Sequence, residues 1–560
     1  MPLETDSDAR SATVMAGVDD PSTKPSTTPD VDASAAAANF KPSRDFKLAF
    51  SALLGLAMTV ALDATTLAVA LPTMSKKIGG TALQAFWSGT SFLLASTVVQ
   101  PTIAALSSVF GRKNLVYCAI VLFFAGSLIA ALANDFNTVI VGRTIQGIGG
   151  GGLLSLTEVV VTDLVPLAVR GHYFSYLSAI WALGTVIGPM VGAGFAENVT
   201  WRWIFYINLP MIGVASVLVY FFLNQSSVPG TFSSKVRRID WVGTFIFTTG
   251  STSFLFGLST GGVMYPWSSW RCLLPLIIGF ILMAVFLYWE FNYAAEPLVS
   301  RGLFNNWSII VAYIHAILHG ALLWSILYFL LLYYQGVKFY NPVVSSLAAL
   351  PETLTVAPAA GLVGALVAKT GRYRWAIWAG WALATLGSGL LLLLGPKTKI
   401  VQWIFLNLPV GVGTGMLFPA TALAIQAACE PELNDQAAAF FSFLRTFGQS
   451  IGVATSGVIF QNAFKHKLQN LPAFASQAHE LSGEATLVVE VIKAMANSPA
   501  KTQLVQAYSD AMHAIYYELL AFSAVSLALS ITMKAYSLDQ EHVSSQKLVE
   551  KARESDAEKA

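Results

Sequence analysis

The chain has 560 residues, of which 55% are hydrophobic and only 11% charged, with a mean hydropathy of +0.61. Soluble domains carry about 25% charged residues, so this composition excludes a soluble globular protein and fits a chain that crosses a membrane many times. A net charge of +2 leaves no basic surplus for a nucleic-acid partner.

In chain order, residues 1–45 are rich in Ser, Thr, Asp, Pro and Ala and hold no apolar run. They lack the basic start and short apolar stretch of a signal peptide, and read as a disordered cytoplasmic tail. A membrane span needs roughly 20 apolar residues. Candidates lie near 46–71, 85–107, 114–133, 138–162, 173–196, 203–223, 240–260, 271–290, 306–334, 345–368, 375–395, 400–427, 437–462 and 512–534. The expected architecture is therefore an all-α membrane protein with 14 transmembrane helices and both termini on one side. A polar segment over 535–560 reads as a second cytoplasmic tail. With the termini inside, the short inner loops hold ten Lys and Arg against seven outside, which favours cytoplasmic termini. The three cysteines, Cys118, Cys272 and Cys429, fall in or beside apolar runs at spacings that match no metal or disulfide pattern.

The chain repeats itself. "AALSSVFGRK" (Ala104–Lys113) aligns without gaps with "GALVAKTGRY" (Gly364–Tyr373), sharing Gly111/Gly371 and Arg112/Arg372. The first copy follows span 2 and the second follows span 10. Two six-span halves related by a parallel repeat would put the second copy after span 8, so spans 7 and 8 read as an insertion. This divides the chain into an N-terminal six-helix bundle (46–223), two inserted helices (240–290) and a C-terminal six-helix bundle (306–534).

Charges inside apolar runs come next, because each costs several kcal/mol unless it meets a partner or a water-filled path. By helix rise, Asp63 in span 1 and Arg143 in span 4 lie roughly 12 and 8 Å from the outer ends of their spans, close enough to pair. Three readings of Asp63 stand: a proton-coupling acid modulated by Arg143, half of a permanent structural ion pair, or an inert snorkelled carboxylate. Gln146, one turn from Arg143, is a candidate substrate contact. Glu158 lies near the inner end of span 4 as a gating or proton-carrying acid. His315 and His319, at i and i+4 on span 9, suit a proton site or two neutral imidazoles bonded to backbone. Arg445 and Gln449 on span 13 repeat the Arg143/Gln146 pairing in residue type; they point to an anionic substrate or to a structural hub near Glu352. Trp181 and Trp324 are candidate cavity aromatics. Gly184, Gly188 and Gly192 share one face of span 5 beside Pro189, which lacks the N–H that would bond the carbonyl of Thr185. Together they read as a flexible, tightly packed hinge between the bundles, or as ordinary small-residue packing. "GIGGGG" (Gly147–Gly152) has no following Lys-Ser/Thr and lies inside a span, which excludes a phosphate loop. Asn198 in "NVT" forms a glycosylation sequon on a short outer loop.

Four stretches carry a resemblance: "LDATTLAVALP" (Leu62–Pro72), "SSVFGRK" (Ser107–Lys113), "RTIQG" (Arg143–Gly147) and "GTVIGPMVGAG" (Gly184–Gly194). They resemble, respectively, the span 1, loop 2–3, span 4 and span 5 motifs of the major facilitator superfamily, within it the fourteen-span drug:proton antiporters of the fungal efflux-pump type. The similarity covers about 46–535. It implies a cytoplasmic gate around Gly111, Arg112, Lys113 and Arg170. The family's loop motif has an aspartate where this chain has Ser108, so the latch it implies is weaker here or uses another acid; Asp163 and Glu158 are the candidates to pair with Arg112. The resemblance implies a proton-coupled efflux transporter of small hydrophobic or amphipathic organic compounds (drugs, toxins or secondary metabolites), working by alternating access. It is expected as a monomer in the plasma membrane, with a vacuolar membrane as the other location, and not as an enzyme; no cofactor and no metal are expected. The alternatives are an uptake or exchange transporter for a defined nutrient such as a siderophore or amino acid and, more remotely, a membrane-embedded enzyme or sensor.

Overall fold

The computed structural model describes residues 40–79, 82–226, 228–262, 264–482 and 485–543, together with 546 and 548. Most of the expected N-terminal tail, 1–39, lies outside them. Among the described residues the long helices are α1 (Arg44–Ile78), α2 (Ala82–Phe110), α3 (Arg112–Leu132), α4 (Phe136–Leu164), α5 (Leu167–Asn198), α6 (Asn208–Phe222), α7 (Trp241–Thr260), α8 (Trp270–Asn292), α9 (Trp307–Gly336), α10 (Leu350–Thr370), α11 (Arg374–Leu391), α12 (Ile400–Ala428), α13 (Asn434–Gln469) and α14 (Pro499–Ile531). Ten of these are long and apolar enough to cross a membrane, as is the stretch Trp203–Phe222 that includes α6; α7, α11 and α13 are not apolar enough to qualify.

Helix starts are set by side chains that satisfy the first free N–H groups. Ser43, Asp135, Asn306 and Ser498 each accept from the backbone N–H three residues on. Two turns need glycine: Gly111 between α2 and α3 has φ +97°, and Gly371 between α10 and α11 has φ +64°, where a Cβ is disfavoured. These are the equivalent positions of the internal repeat.

Burial follows position in the bundle. The apolar windows of α4 and α12 are each 83% buried, whereas that of α8 is 17% buried. α4 crosses α2 and α3 at its glycines. A Cβ on Gly147 or Gly151 would strike the Phe92 or Ser96 carbonyl of α2, and one on Gly149 would strike the backbone of α3 at Phe123. The glycine run therefore seats two neighbours, on opposite faces, at backbone contact. α7 packs on α8, α2 and α13, with Phe247 against Phe443 and Phe254 against Phe447. α13 and α14 outrun their expected spans at the end away from the chain termini, where Lys467 and Asp510 pair at 3.0 Å and Tyr508 packs on Phe460 and Phe464.

The start of α1, near Phe40, and the described segment after α14 lie on one face, called the terminal face below. The segment after α14 is not a free tail over its described length. The Tyr536 N–H donates to the Tyr373 hydroxyl at 3.2 Å and Gln540 Nε2 to the Ala427 carbonyl at 2.8 Å. His542 Nε2 lies 3.0 Å from the Asp163 carbonyl. Gln546 accepts from the Arg112 N–H at 2.8 Å and donates to the Ser107 carbonyl at 3.2 Å. The segment thus runs from one half of the molecule onto the other.

Candidate functional site

Three groups of buried charge lie along the bundle. The first is within α1–α6. Arg143 Nη1 donates to Asp63 Oδ2 and, at 2.8 Å, to Gln146 Oε1. Gln146 Nε2 and Asn208 Nδ2 each donate to Asp63 Oδ1 at 2.8 Å, and Ser127 Oγ accepts from Gln146 Nε2 at 2.8 Å. Arg143 Nε donates to the Ser88 carbonyl at 3.2 Å, and its guanidinium lies 4.2 Å from the Phe92 ring centre. Both carboxylate oxygens of Asp63 are taken up, and the pair is sealed from solvent. Gln146 spends its amide here, on Arg143, Asp63 and Ser127. Asn208 escaped the sequence reading; its signal was a polar residue inside the apolar run of span 6.

The second group lies at the terminal face. Arg112 opens α3 and reaches three ways: Nε to Asp163 Oδ2 of α4 at 3.0 Å, Nη1 to Ser107 Oγ at 2.6 Å, and Nη2 to Asp435 Oδ2 at the start of α13. Ser108, at the position of the missing loop aspartate, is exposed and bonds its own helix. Asp435, an acid in a helix first turn, was not among the expected partners. Lys113 instead binds the Tyr220 carbonyl and Asn224 at 2.8 and 2.9 Å. Arg170 spans to α12 by donating to Gln426 Oε1, while holding the Thr162 and Val165 carbonyls of its own half. Gln100 of α2 donates to Thr446 Oγ1 of α13 at 3.1 Å, and Ser175 of α5 to the Ala360 carbonyl of α10 at 2.6 Å. Cys429 sits just beyond α12. Burial, partly offset by Arg170, pushes its thiol up to about 12, so it stays protonated and inert.

The third group lies where the halves meet. Arg445 Nη2 of α13 is 3.6 Å from Glu158 Oε1 of α4, and its guanidinium stacks 4.9 Å from the Phe418 ring. Arg445, Gln449, Trp181, Trp324, His319 and Glu352 all line one cavity. Trp181 and Trp324 meet edge to face across it, 6.4 Å between ring centres. The two histidines do not form one site. His315 Nε2 faces the Ser526 carbonyl of α14 at 3.0 Å, while His319 Nε2 faces the Thr414 carbonyl of α12 at 3.1 Å. Both contacts are to backbone acceptors, which fixes the proton on Nε2 in each ring.

The glycine row of α5 faces α1, not the opposite half: an added Cβ at Gly184, Gly188 or Gly192 would strike Ala61, Thr65 or Thr66. Close contact between the halves falls instead at Gly171 of α5 and Gly364 of α10. Pro189 is buried beside Gly188 in α5. Asn198 ends α5 and donates to the Gly194 carbonyl at 3.1 Å.

Comparison with known proteins agrees with this layout. A family profile described as Major Facilitator Superfamily matches residues 53–453. The chain is 46% identical over 523 residues to MFS transporter L2 of Phoma sp., covering 93% of this chain and 88% of that one. It is 35% identical to MFS-type efflux pump LUC4 of Fusarium sp., covering 90% of each. The crystal structure of the human organic anion transporter MFSD10 (TETRAN) matches 87% of this chain and 100% of its own, with a TM-score of 0.52 at 13% identity, which speaks to fold alone. This chain is a multi-pass membrane protein that belongs to the Major Facilitator Superfamily.

Proposed function

We propose that this chain is a proton-driven exporter of small hydrophobic or amphipathic organic compounds, a transporter and not an enzyme, working by alternating access. The observation that carries the reading is the cavity at the seam of the halves. Aromatic and charged side chains of α5, α9, α10, α12 and α13 line it, and Arg112–Asp435, Arg170–Gln426 and Arg445–Glu158 tie α3, α5 and α4 to α13 and α12. Such sites need an apolar wall and a few convergent polar groups. The direction of transport is supported by relatives named efflux pumps that align over 90% of both chains.

In this reading the chain crosses the membrane 14 times. α1–α6 and α9–α14 form the two bundles, α7 and α8 are the inserted pair, and the terminal face is cytoplasmic. Positive φ at both Gly111 and Gly371 supports the repeat. α7 and α11 contain Ser, Thr and Gly in place of larger apolar residues, and α13 is shielded by neighbours, so neither case demands a high hydropathy. The protein is a monomer of the plasma membrane, with the Asn198 sequon on the outer side. Arg112, Asp163, Asp435 and Arg170 form the cytoplasmic gate, with Gly111 and Lys113 shaping its turn. Trp181, Trp324, Gln449 and Arg445 face the substrate, Glu158 and Arg445 form the coupling pair, and Asp63–Arg143–Gln146 is a structural lock. Gly184, Gly188, Pro189 and Gly192 let α1 and α5 move as one body.

The test is uptake of a fluorescent hydrophobic cation and a panel of lipophilic compounds into inside-out vesicles, with and without an imposed proton gradient. Gradient-driven accumulation is expected. Accumulation that ignores the gradient, or that runs only in the opposite direction, would contradict the proposal.

A further inference from the structure

Beyond α14 the described segment turns back across the terminal face, and its contacts fall into two sets. Those nearest α14 are to α9–α14. The Lys534 N–H donates to Ser308 Oγ at 2.9 Å, the Tyr536 N–H to the Tyr373 hydroxyl, and Gln540 Nε2 to the Ala427 carbonyl. Leu538 is buried in the apolar core. The contacts farther along are to α1–α6. His542 Nε2 faces the Asp163 carbonyl at the end of α4, and the Gln546 side chain bridges the turn between α2 and α3. Gln225, just past α6, donates from Nε2 to the Gln546 carbonyl at 3.0 Å and pairs antiparallel with Leu548. The crossing falls between Gln540 and His542. Two residues of extended chain span at most about 7 Å, so little slack remains where the segment passes from α12 to α4.

The chemistry of Gln546 matches its place. It is buried, where a polar side chain is costly unless it is bonded. The Gly111 turn leaves α3 without a side-chain cap of its own, so the Arg112 N–H is one of the orphan donors of a helix start. Gln546 Oε1 accepts from that N–H, while Nε2 donates to the Ser107 carbonyl near the end of α2. A carboxamide can do both at once; a carboxylate or a hydrocarbon cannot. The residues gripped in this way are those of the charged group at the terminal face. Arg112 sends its guanidinium to Asp163 and across to Asp435 of α13, and the Asp163 backbone is what His542 meets.

We infer that the segment after α14 is an autoinhibitory strap. Its far part, His542, Gln546 and Leu548, holds α2, α3 and α4 toward α12 and α13, and must lift off before the terminal face opens. The inference rests on the alternating access proposed above. The near part is continuous with α14 and bonded to α9, the start of α11 and α12, so it travels with those helices. Parting α4 from α12 therefore draws the strap taut at the crossing. Its anchors on α1–α6 are neutral hydrogen bonds, which water can replace once they are exposed. They bias the molecule toward closure without locking it. Their release also frees the backbone of Arg112, and with it the side chain that reaches Asp435.

The experiment has two arms, both in a Cys118→Ser background. The first uses the protein in lipid nanodiscs and needs no substrate. Val159 of α4 is buried against Ala104 of α2 and Ala439 of α13. The alkylation rate of Val159→Cys by a water-soluble maleimide, less the rate without that cysteine, thus reports parting of α4 from α13. Ending the chain after Gln540 should raise this rate several-fold, and Gln546→Leu should raise it by less. The second arm fastens the strap instead. Gln225 and Leu548 form an antiparallel pair, and the Cα separation of about 4.5–5.5 Å in such pairs suits a disulfide. In inside-out vesicles, oxidised Gln225→Cys/Leu548→Cys should accumulate a fluorescent hydrophobic cation several-fold more slowly, and should recover on reduction. One sample gives both states, so misfolding cannot mimic the reversal. An alkylation rate unchanged by truncation would overturn the inference, as would an oxidised tether that transports at the reduced rate. If alkylation behaves as expected while no preparation accumulates the cation under a proton gradient, the strap stands and the export reading falls. Gradient-driven accumulation indifferent to the tether is the reverse outcome.

Discussion

Asp63 and Glu352 are both carboxylates sealed inside the bundle, yet their surroundings are opposite. Asp63 has a guanidinium, two side-chain amides and no oxygen left over; Glu352 has no bonded side-chain oxygen among the described residues. A fully satisfied buried network holds helices in register, because losing one member would orphan the donors already aimed at it. A buried acid with no bonded partner can be replaced at little structural cost. The comparison teaches that depth and charge alone do not identify the coupling acid; what counts is whether its partners can leave. The side-chain partners of Asp63 lie on α4 and α6, whereas the partner of Glu158 on α4 comes from α13.

The largest effect that would sharpen this contrast is on stability. Asp63→Asn leaves Arg143 buried without its counter-charge and should destabilise the purified protein by about 3–5 kcal/mol, read as a steep fall in melting temperature. Glu352→Gln, which removes no bond, should shift it far less. Equal melting temperatures for the two variants would erase the distinction. Next in size is packing in α4. Gly151→Ala drives a Cβ into the Ser96 carbonyl and should cost about 1–3 kcal/mol, while Gly194→Ala, which points into open space, should be silent in the same melt. Of similar or smaller size is the gate. Arg112→Ala and Asp435→Asn should be non-additive by about 0.5–3 kcal/mol in a double-mutant cycle on terminal-face closure, and the same holds for Arg112→Ala with Asp163→Ala. Additive effects would remove the ion pair from the gate. The smallest effect belongs to the exposed pair Arg238–Glu296 at 2.6 Å. Its loss should change stability by less than about 1 kcal/mol, and a larger change would show that the surface between α7 and α8 matters more than its exposure implies.

Much of the helical layout was legible because lipid demands long apolar runs, and each expected span overlaps a long helix. The ends were less legible. α13 and α14 continue past the apolar stretch, since a helix held by neighbours such as Phe460, Phe464 and Tyr508 need not stop where hydropathy does. The Asp63–Arg143 pair could be read from two charges interrupting apolar runs at matching depth. Asn208 could not be weighed the same way, because an uncharged amide in an apolar run is cheap and draws no attention. Asp435 was hidden by its distance in the chain. The absence of an acid at Ser108 was visible, but which helix brings the replacement depends on how the halves pack. Gly184, Gly188 and Gly192 were rightly read as one face; which neighbour that face meets is likewise a matter of packing. The folding-back of residues 535–543 rests on single hydrogen bonds from polar side chains to backbone, which have no periodic signature.

The central claim is that proton coupling resides at the seam of the halves and not at Asp63. The direct measurement is gradient-driven accumulation of a fluorescent hydrophobic cation in inside-out vesicles, normalised to folded protein, for Glu158→Gln and Asp63→Asn. The account predicts that Glu158→Gln abolishes the response to the gradient, while the Asp63→Asn molecules that do fold retain it. Retention in Glu158→Gln with loss in Asp63→Asn would contradict it.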